Sequence, residues 1–172
     1  MRKASYGMVV AAASTALIGG SVVTADAATA AKNPYAHTRL QKVWTPKGVE
    51  RCLSFGGSKK NGARLVLAKC SKTDKSQRWT LKVAGNPGSA TYTFHNDKSG
   101  KCLENKSGKL VQNTCSAARW RGQRFAVSGS KIIYPWNYTA ITAPSNAVGY
   151  KPYLAKYSDK HSDIVKQHWA LS

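Results

Sequence analysis

The chain has 172 residues, with 27 Lys and Arg against 7 Asp and Glu, and a net charge of +20. This length supports a single domain with one hydrophobic core, and it leaves little room for an appended catalytic domain. The strong basic excess favours anionic partners, which such a surface holds in a salt-dependent way, or else it serves solubility alone.

Residues 1–30 have the composition of a secretory signal peptide. A positively charged start precedes a short apolar stretch, and Ala28-Thr29-Ala30 or Ala25-Asp26-Ala27 offers a cleavage site. The apolar stretch is too short to span a membrane, and no stop-transfer pattern follows it. The sequence therefore predicts a secreted, extracellular protein without membrane insertion, whose single domain occupies residues 31–172.

A glutamine followed two positions later by an aromatic residue occurs three times in the chain. The motifs are Gln77-Arg78-Trp79, Gln123-Arg124-Phe125 and Gln167-His168-Trp169, spaced about 45 residues apart. Such regular spacing indicates an internal repeat, with repeats at about 31–80, 81–126 and 127–172. If each motif lies in a strand, its glutamine and ring point to the same side. We therefore expect a shared core, built from Gln77, Trp79, Gln123, Phe125, Gln167 and Trp169.

Short β-rich runs bounded by Gly, Pro, Asn and Ser precede the matching steps Cys52-Leu53, Cys102-Leu103 and Ala140-Ile141 of the three repeats. They are QKVWTP (41–46), TYTFHN (91–96) and KIIYPW (131–136). No window shows a long helical period, and turn residues are dense between the runs. The sequence predicts an all-β protein with several short strands in each repeat. Trp44 falls in the first run, where we expect it to be buried.

Four cysteines follow the predicted signal peptide, and an even count in an exported protein indicates disulfides. Of the three possible connectivities we favour Cys52–Cys70 and Cys102–Cys115, because each pair then lies within one repeat. In the third repeat Tyr157 stands where Cys70 stands, and the other cysteine is missing as well. A zinc site is a poor alternative, since the spacings contain no C-x-x-C. We expect no metal.

These residues resemble the ricin B-type lectins over nearly all of the mature chain. Q-x-W motifs that are each preceded by a Cys-Leu step and then a second cysteine are typical of that family, and in the third repeat Ala140-Ile141 takes the place of Cys-Leu. The resemblance implies a β-trefoil, in which three repeats of four strands surround a pseudo-threefold axis. It also implies shallow sugar-binding pockets, one per repeat, that combine an Asp, an aromatic platform and an amide side chain.

The chain departs from that pattern at the positions that bind sugar in the family. The Asp position holds Ser54, Glu104 and Thr142, and the platform position holds Ala68, Asn113 and Ala155. A surviving pocket is therefore expected in the second repeat, from Glu104, Asn105, Gln112, Asn113 and Trp120. The alternatives are that Glu104 is a solvated surface residue and that Asn113 is a turn residue.

Known catalytic motifs are missing from the sequence, so we expect neither an enzyme nor a cofactor. The leading hypothesis is a lectin for extracellular carbohydrate, with an acidic polysaccharide or cell-wall polymer as partner. One alternative is a degenerate trefoil that acts as a protein-interaction or toxin-delivery subunit. Another is an electrostatic binder of anionic polymers, whose binding would weaken steeply with salt.

Overall fold

Short antiparallel strands build the protein, and they come in three groups of four. The structure, a computed structural model, describes residues 33–85, 91–119 and 121–172. The predicted signal peptide and Trp120 lie outside the described residues. Residues Asn33–Ser172 form one compact unit.

Each repeat contributes four of the strands in the described part of the chain. The first repeat contains Thr38–Lys42 (β1), Arg51–Ser54 (β2), Val66–Lys69 (β3) and Arg78–Val83 (β4). The second contains Thr91–Asn96 (β5), Cys102–Lys106 (β6), Lys109–Asn113 (β7) and Phe125–Ser128 (β8). The third contains Lys131–Tyr134 (β9), Thr139–Thr142 (β10), Tyr153–Lys156 (β11) and Trp169–Leu171 (β12).

The strands pair as a closed barrel with three additional hairpins. Around the barrel the pairs are β1–β4, β4–β5, β5–β8, β8–β9 and β12–β1. The remaining gap is bridged by the backbone N–H of Trp169, which donates to the carbonyl of Ser130 at 2.7 Å. The hairpins are β2–β3, β6–β7 and β10–β11. This arrangement is the predicted β-trefoil.

The aromatic residues of the three motifs lie in the centre of the core. Trp79, Phe125 and Trp169 are completely buried. The indole N–H of Trp79 donates to the carbonyl of Leu53 at 3.3 Å, and that of Trp169 donates to the carbonyl of Ile141 at 2.9 Å. These two bonds satisfy donors that would otherwise be buried unpaired, and Phe125 needs no such partner.

The glutamines of the motifs are buried, but they lie before the strands rather than in them. Gln77 ends a 3-10 turn at Lys75–Gln77, and Gln167 ends a short helix at His161–Gln167 (α1). Each amide satisfies backbone groups, as Gln77 does by donating to the carbonyl of Lys69 and accepting from the N–H of Ser71. The turn, rather than strand alternation, therefore sets the direction of each glutamine. Helix α1 is too short to give a periodic signal in the sequence.

Two disulfides lie within the first two repeats, between Cys52 and Cys70 and between Cys102 and Cys115. In each repeat they connect the second strand to the end of the third. The expectation that Trp44 is buried is wrong. Strand β1 ends at Lys42, and Trp44 is 47% exposed in the loop that follows.

Candidate functional site

Glu104 lies in β6 beneath the loop that carries the second glutamine motif. Its side chain is buried, and its Oε2 accepts a 2.7 Å hydrogen bond from Nε2 of Gln123. Nη1 of Arg119 lies 3.8 Å from the same oxygen. A Cβ on Gly122 would come within 3.2 Å of Cγ of Glu104. Because Gly122 has no side chain, the loop can approach the glutamate closely.

The corresponding positions of the other two repeats are also occupied by internal hydrogen bonds. The hydroxyl of Ser54 is completely buried and lies 2.9 Å from that of Ser76. The hydroxyl of Thr142 donates to the carbonyl of Ala140 at 2.9 Å and accepts from Nε2 of Gln167. In the first and third repeats, therefore, this position holds a short side chain whose hydroxyl forms a hydrogen bond within the protein.

The structure separates the other residues predicted to form the sugar site. Asn113 lies on the same face of the β6–β7 hairpin as Glu104, whereas Asn105 and Gln112 lie on the opposite face. Oδ1 of Asn105 accepts from the N–H of Gly108 and holds the hairpin turn.

Gln112 and Asn113 connect the second repeat to the first. Nε2 of Gln112 donates to the carbonyls of Ser58 and Lys60, at 2.7 and 3.1 Å. Oδ1 of Asn113 accepts from the N–H of Gly62 at 3.0 Å. Both side chains are thus bonded to backbone that lies about 50 residues earlier in the chain.

The groups that the structure brings to Glu104 are Gln123, Gly122 and Arg119. The sequence reasoning assigned Gln123 to the core and overlooked the other two. In the alignment of the three repeats, Gln123 occupies the same position as Gln77 and Gln167. This alignment could have indicated that Gln123 lies beside the family's acidic position, which Glu104 holds. No motif in the sequence indicates that Arg119 lies near Glu104, because only the conformation of the loop brings the two side chains together.

His95 lies against the second disulfide. Its Nδ1 is 3.4 Å from Sγ of Cys115, and its Nε2 lies 3.0 Å from Oγ1 of Thr93. Burial lowers the pKa of His95 from its usual 6.5, and the charge of Lys82 adds to that shift. Among the described residues this is the one group of His, Cys, Asp and Glu close enough for metal binding. Both of its sulfurs are already bonded to each other.

The carboxylates of the described residues are largely engaged within the fold. Five of them bond to a side chain: Asp74, Asp97, Glu104, Asp159 and Asp163. Arg119, Lys131 and Lys166 form ion pairs with three of these carboxylates. With 27 Lys and Arg against 7 Asp and Glu, the chain carries a large excess of positive charge.

None of the described helices has the length and apolar character needed to cross a bilayer.

The barrel, its three hairpins and the buried glutamine–aromatic motifs define a lectin-type β-trefoil. The ricin-type β-trefoil lectin domain matches residues 45–169, and this chain belongs to that family. No curated protein sequence matches the chain.

Several solved structures share the fold at low sequence identity. The Vibrio vulnificus hemolysin/cytolysin β-trefoil lectin, solved with N-acetyl-D-lactosamine, is 18% identical with a TM-score of 0.59, covering 80% of this chain and 93% of that one. The Polyporus squamosus lectin, bound to a sialylated epitope, is 12% identical with a TM-score of 0.61, covering 80% and 48%. The cytolethal distending toxin from Actinobacillus actinomycetemcomitans is 14% identical with a TM-score of 0.63, covering 82% and 93%.

Proposed function

We propose that this protein is a secreted, non-enzymatic lectin that binds extracellular glycans of acidic character. The observation that carries the proposal is the uncompensated positive charge of a lectin-family trefoil. The chain has 27 Lys and Arg, whereas five carboxylates of the described residues already bond to side chains of the same chain. Uronic acids, sulfate esters and phosphodiesters on polysaccharides or cell-wall polymers supply the complementary charge.

The arrangement around the family positions supports a ligand that is held by cations. In the lectins that this chain resembles, a carboxylate accepts hydrogen bonds from sugar hydroxyls. Here Ser54 and Thr142 replace it in two repeats, and Glu104 is bonded to Gln123 in the remaining one. Binding through the charged surface does not require Glu104 to leave Gln123.

A glycan array at low and high salt tests the proposal. We expect binding to acidic glycans that falls steeply between about 50 and 200 mM salt, because ligand binding releases counterions. Neutral glycans retained at high salt, with acidic ones unbound, would contradict the acidic preference and favour a pocket of the family type.

Glu104→Gln separates these two modes of binding in the same array. The new amide can still accept the hydrogen bond from Gln123, so the fold should persist. Binding through surface cations should be unchanged or slightly stronger, because one negative charge is removed. Loss of glycan binding in this variant would instead place the sugar on Glu104.

An exposed aromatic group favours a second candidate function, a protein-interaction subunit. Trp136 is 38% exposed and Tyr138 is 75% exposed in the loop between β9 and β10. Tyr138 also has a φ of 50°, an uncommon conformation for a residue with a bulky side chain. If no glycan binds, a loss of partner capture in Tyr138→Ser would support this candidate.

A further inference from the structure

A cleft of about 490 Å³ lies between the first and second repeats. Glu104 is the register partner of its lining residue Val111, but the carboxylate is buried and bonded to Gln123. Its lining residues are Gly62, Arg64, Lys106, Ser107, Lys109 and Val111. No carboxylate belongs to this lining in the described part of the chain. The cleft therefore collects three cations without an internal counter-charge.

The backbone around the cleft is fixed by hydrogen bonds between the two repeats. Arg64 pairs with Val111 in an isolated antiparallel bridge. The N–H of Leu65 donates to the carbonyl of Leu110 at 2.9 Å, and the N–H of Gln112 donates to that of Ala63 at 2.9 Å. The positions from which the cations project are thus set by paired backbone on both sides.

Two of the cations face each other directly. Lys106 and Lys109 are register partners at the end of the β6–β7 hairpin, joined by the turn at Ser107 and Gly108. Both turn residues have positive φ, as a two-residue hairpin turn requires. Like charges directly opposite each other in a hairpin are unfavourable. A bound anion would remove that repulsion.

The side chain of Arg64 provides a further reason to expect an anion in the cleft. Its Nε is buried and has no hydrogen-bond partner among the described residues. A buried donor without an acceptor costs free energy, which a small rotation toward a ligand oxygen would recover. A guanidinium also matches the paired oxygens of carboxylate and sulfate groups.

An aromatic ring stands beside these cations. Tyr153 of β11 is the register partner of Lys109 on the other edge of β7, and it is 40% exposed. Directly opposed residues of a strand pair point to the same face. The apolar face of a pyranose ring can rest on such an aromatic surface while its acidic substituent meets the cations.

We infer that this cleft binds an acidic sugar residue of a polysaccharide. The sulfate or carboxylate lies among Arg64, Lys106 and Lys109, and the sugar ring lies against Tyr153. This inference takes its ligand class from the proposed carbohydrate binding, and it assigns that binding to the junction of two repeats.

Titration calorimetry on the exported protein tests the cleft, with a sulfated hexasaccharide as the probe. We expect Lys106→Gln/Lys109→Gln to weaken binding by about tenfold or more, since each substitution removes a charge-assisted hydrogen bond to the ligand. The control Lys47→Gln/Lys82→Gln removes the same charge from exposed positions elsewhere and should cost about threefold or less. Equal losses in the two variants would show that binding follows the overall charge and would overturn the site.

Inorganic polyphosphate and single-stranded DNA serve as probes without a pyranose ring. Tyr153→Ser should weaken binding of the sulfated hexasaccharide and leave polyphosphate binding unchanged. If polyphosphate or DNA binds as tightly and Tyr153→Ser affects no probe, the ligand class is wrong. If both Lys106→Gln/Lys109→Gln and its control leave acidic-glycan binding intact, the site is wrong and the proposed function stands. If the unmodified protein binds no acidic glycan, both are overturned.

Discussion

The ammonium of Lys131 lies 4.2 Å from the ring centroid of Tyr157, in the region of the third repeat that corresponds to the disulfides of the other two. Lys131 also pairs with Asp159, whose carboxylate accepts from the hydroxyl of Tyr157 at 3.0 Å. This pairing raises the pKa of Lys131 against the opposing effect of its burial, and it lowers the pKa of Asp159. A noncovalent cluster therefore joins the segment after β11 to β9, the first strand of the repeat, whereas the disulfides join this segment to the second strand.

A third disulfide should form at this place in Ala140→Cys/Tyr157→Cys. Ala140 pairs with Ala155 in the same register in which Cys52 pairs with Ala68. Closing a loop of this size stabilises the fold by about 3 kcal/mol, from which the loss of the Lys131–Tyr157 contact subtracts roughly 1 kcal/mol. Thiol titration and thermal unfolding measure the outcome. Ala140→Ser/Tyr157→Ser is the control, and two free thiols in the cysteine variant would contradict the prediction.

Gln123→Glu should destabilise the protein in a pH-dependent way. The new carboxylate would lie beside that of Glu104, so the pair should retain a proton and titrate above the usual range of Glu. The destabilisation should be roughly 2 kcal/mol near pH 7 and smaller near pH 4, where one member of the pair is protonated. Urea unfolding at both pH values measures it.

Gln167→Glu is the matched control for that variant. Its counterpart of Glu104 is Thr142, whose hydroxyl can donate to a carboxylate. We expect a weaker dependence on pH in this control. Identical pH profiles for the two variants would show that Glu104 does not interact with Gln123.

His168→Gln should reduce the loss of stability in acid. Burial and then the charge of Lys131 lower the pKa of His168 from its usual 6.5, and the indole N–H of Trp44 lies 3.4 Å from its Nδ1. The folded protein therefore takes up this proton less readily than the unfolded chain. The stability that the neutral ring contributes is present above about pH 6.5 and is lost as the pH falls below that value.

His95→Gln should remove a second, independent part of the same acid sensitivity. Glutamine already occupies the corresponding position of the first repeat, because Gln41 is the register partner of Cys52 there. Because His95 and His168 belong to different repeats, their effects should add in the double variant. Denaturant unfolding at pH 7.5 and 5 measures this, and a double variant as acid-sensitive as the parent protein would contradict it.

Gly122→Ala should cost about 1–3 kcal/mol through overpacking. The added Cβ would lie 3.2 Å from both the carbonyl oxygen of Asn105 and Cγ of Glu104. Ala118→Ser, an exposed substitution in the same loop, should be nearly neutral. An unchanged unfolding midpoint in Gly122→Ala would mean that the loop does not close over Glu104.

The fold could be predicted because its signals repeat within short stretches of the chain. The three glutamine–aromatic motifs and the cysteine pairs each involve residues of one repeat, and the repeat period joins them into one architecture. The run 91–96 coincides with β5, whereas 41–46 extends past the end of β1, so strand limits were less well defined. The residue pattern of this run does not show where β1 ends, so the position of Trp44 beyond the strand could not be predicted.

The candidate site was harder to predict because its polar residues act between repeats. From the sequence we predicted that Gln112 and Asn113 belong to a sugar pocket. In the structure they form hydrogen bonds with Ser58, Lys60 and Gly62 of the preceding repeat. The basic cleft likewise joins Arg64 of one repeat to Lys106 and Lys109 of the next. Such contacts depend on the packing of whole repeats, which no local pattern encodes.

The pairing of β1 with β12 determines when the barrel can close. Leu40 pairs with Leu171, and Arg39 and Ser172 exchange backbone hydrogen bonds in both directions. During synthesis, β1 is made before the other described strands, and its partner β12 is made after them. Until then β1 keeps an unpaired edge, which can join other chains. A nascent chain or a truncated product that lacks β12 should therefore be prone to aggregate.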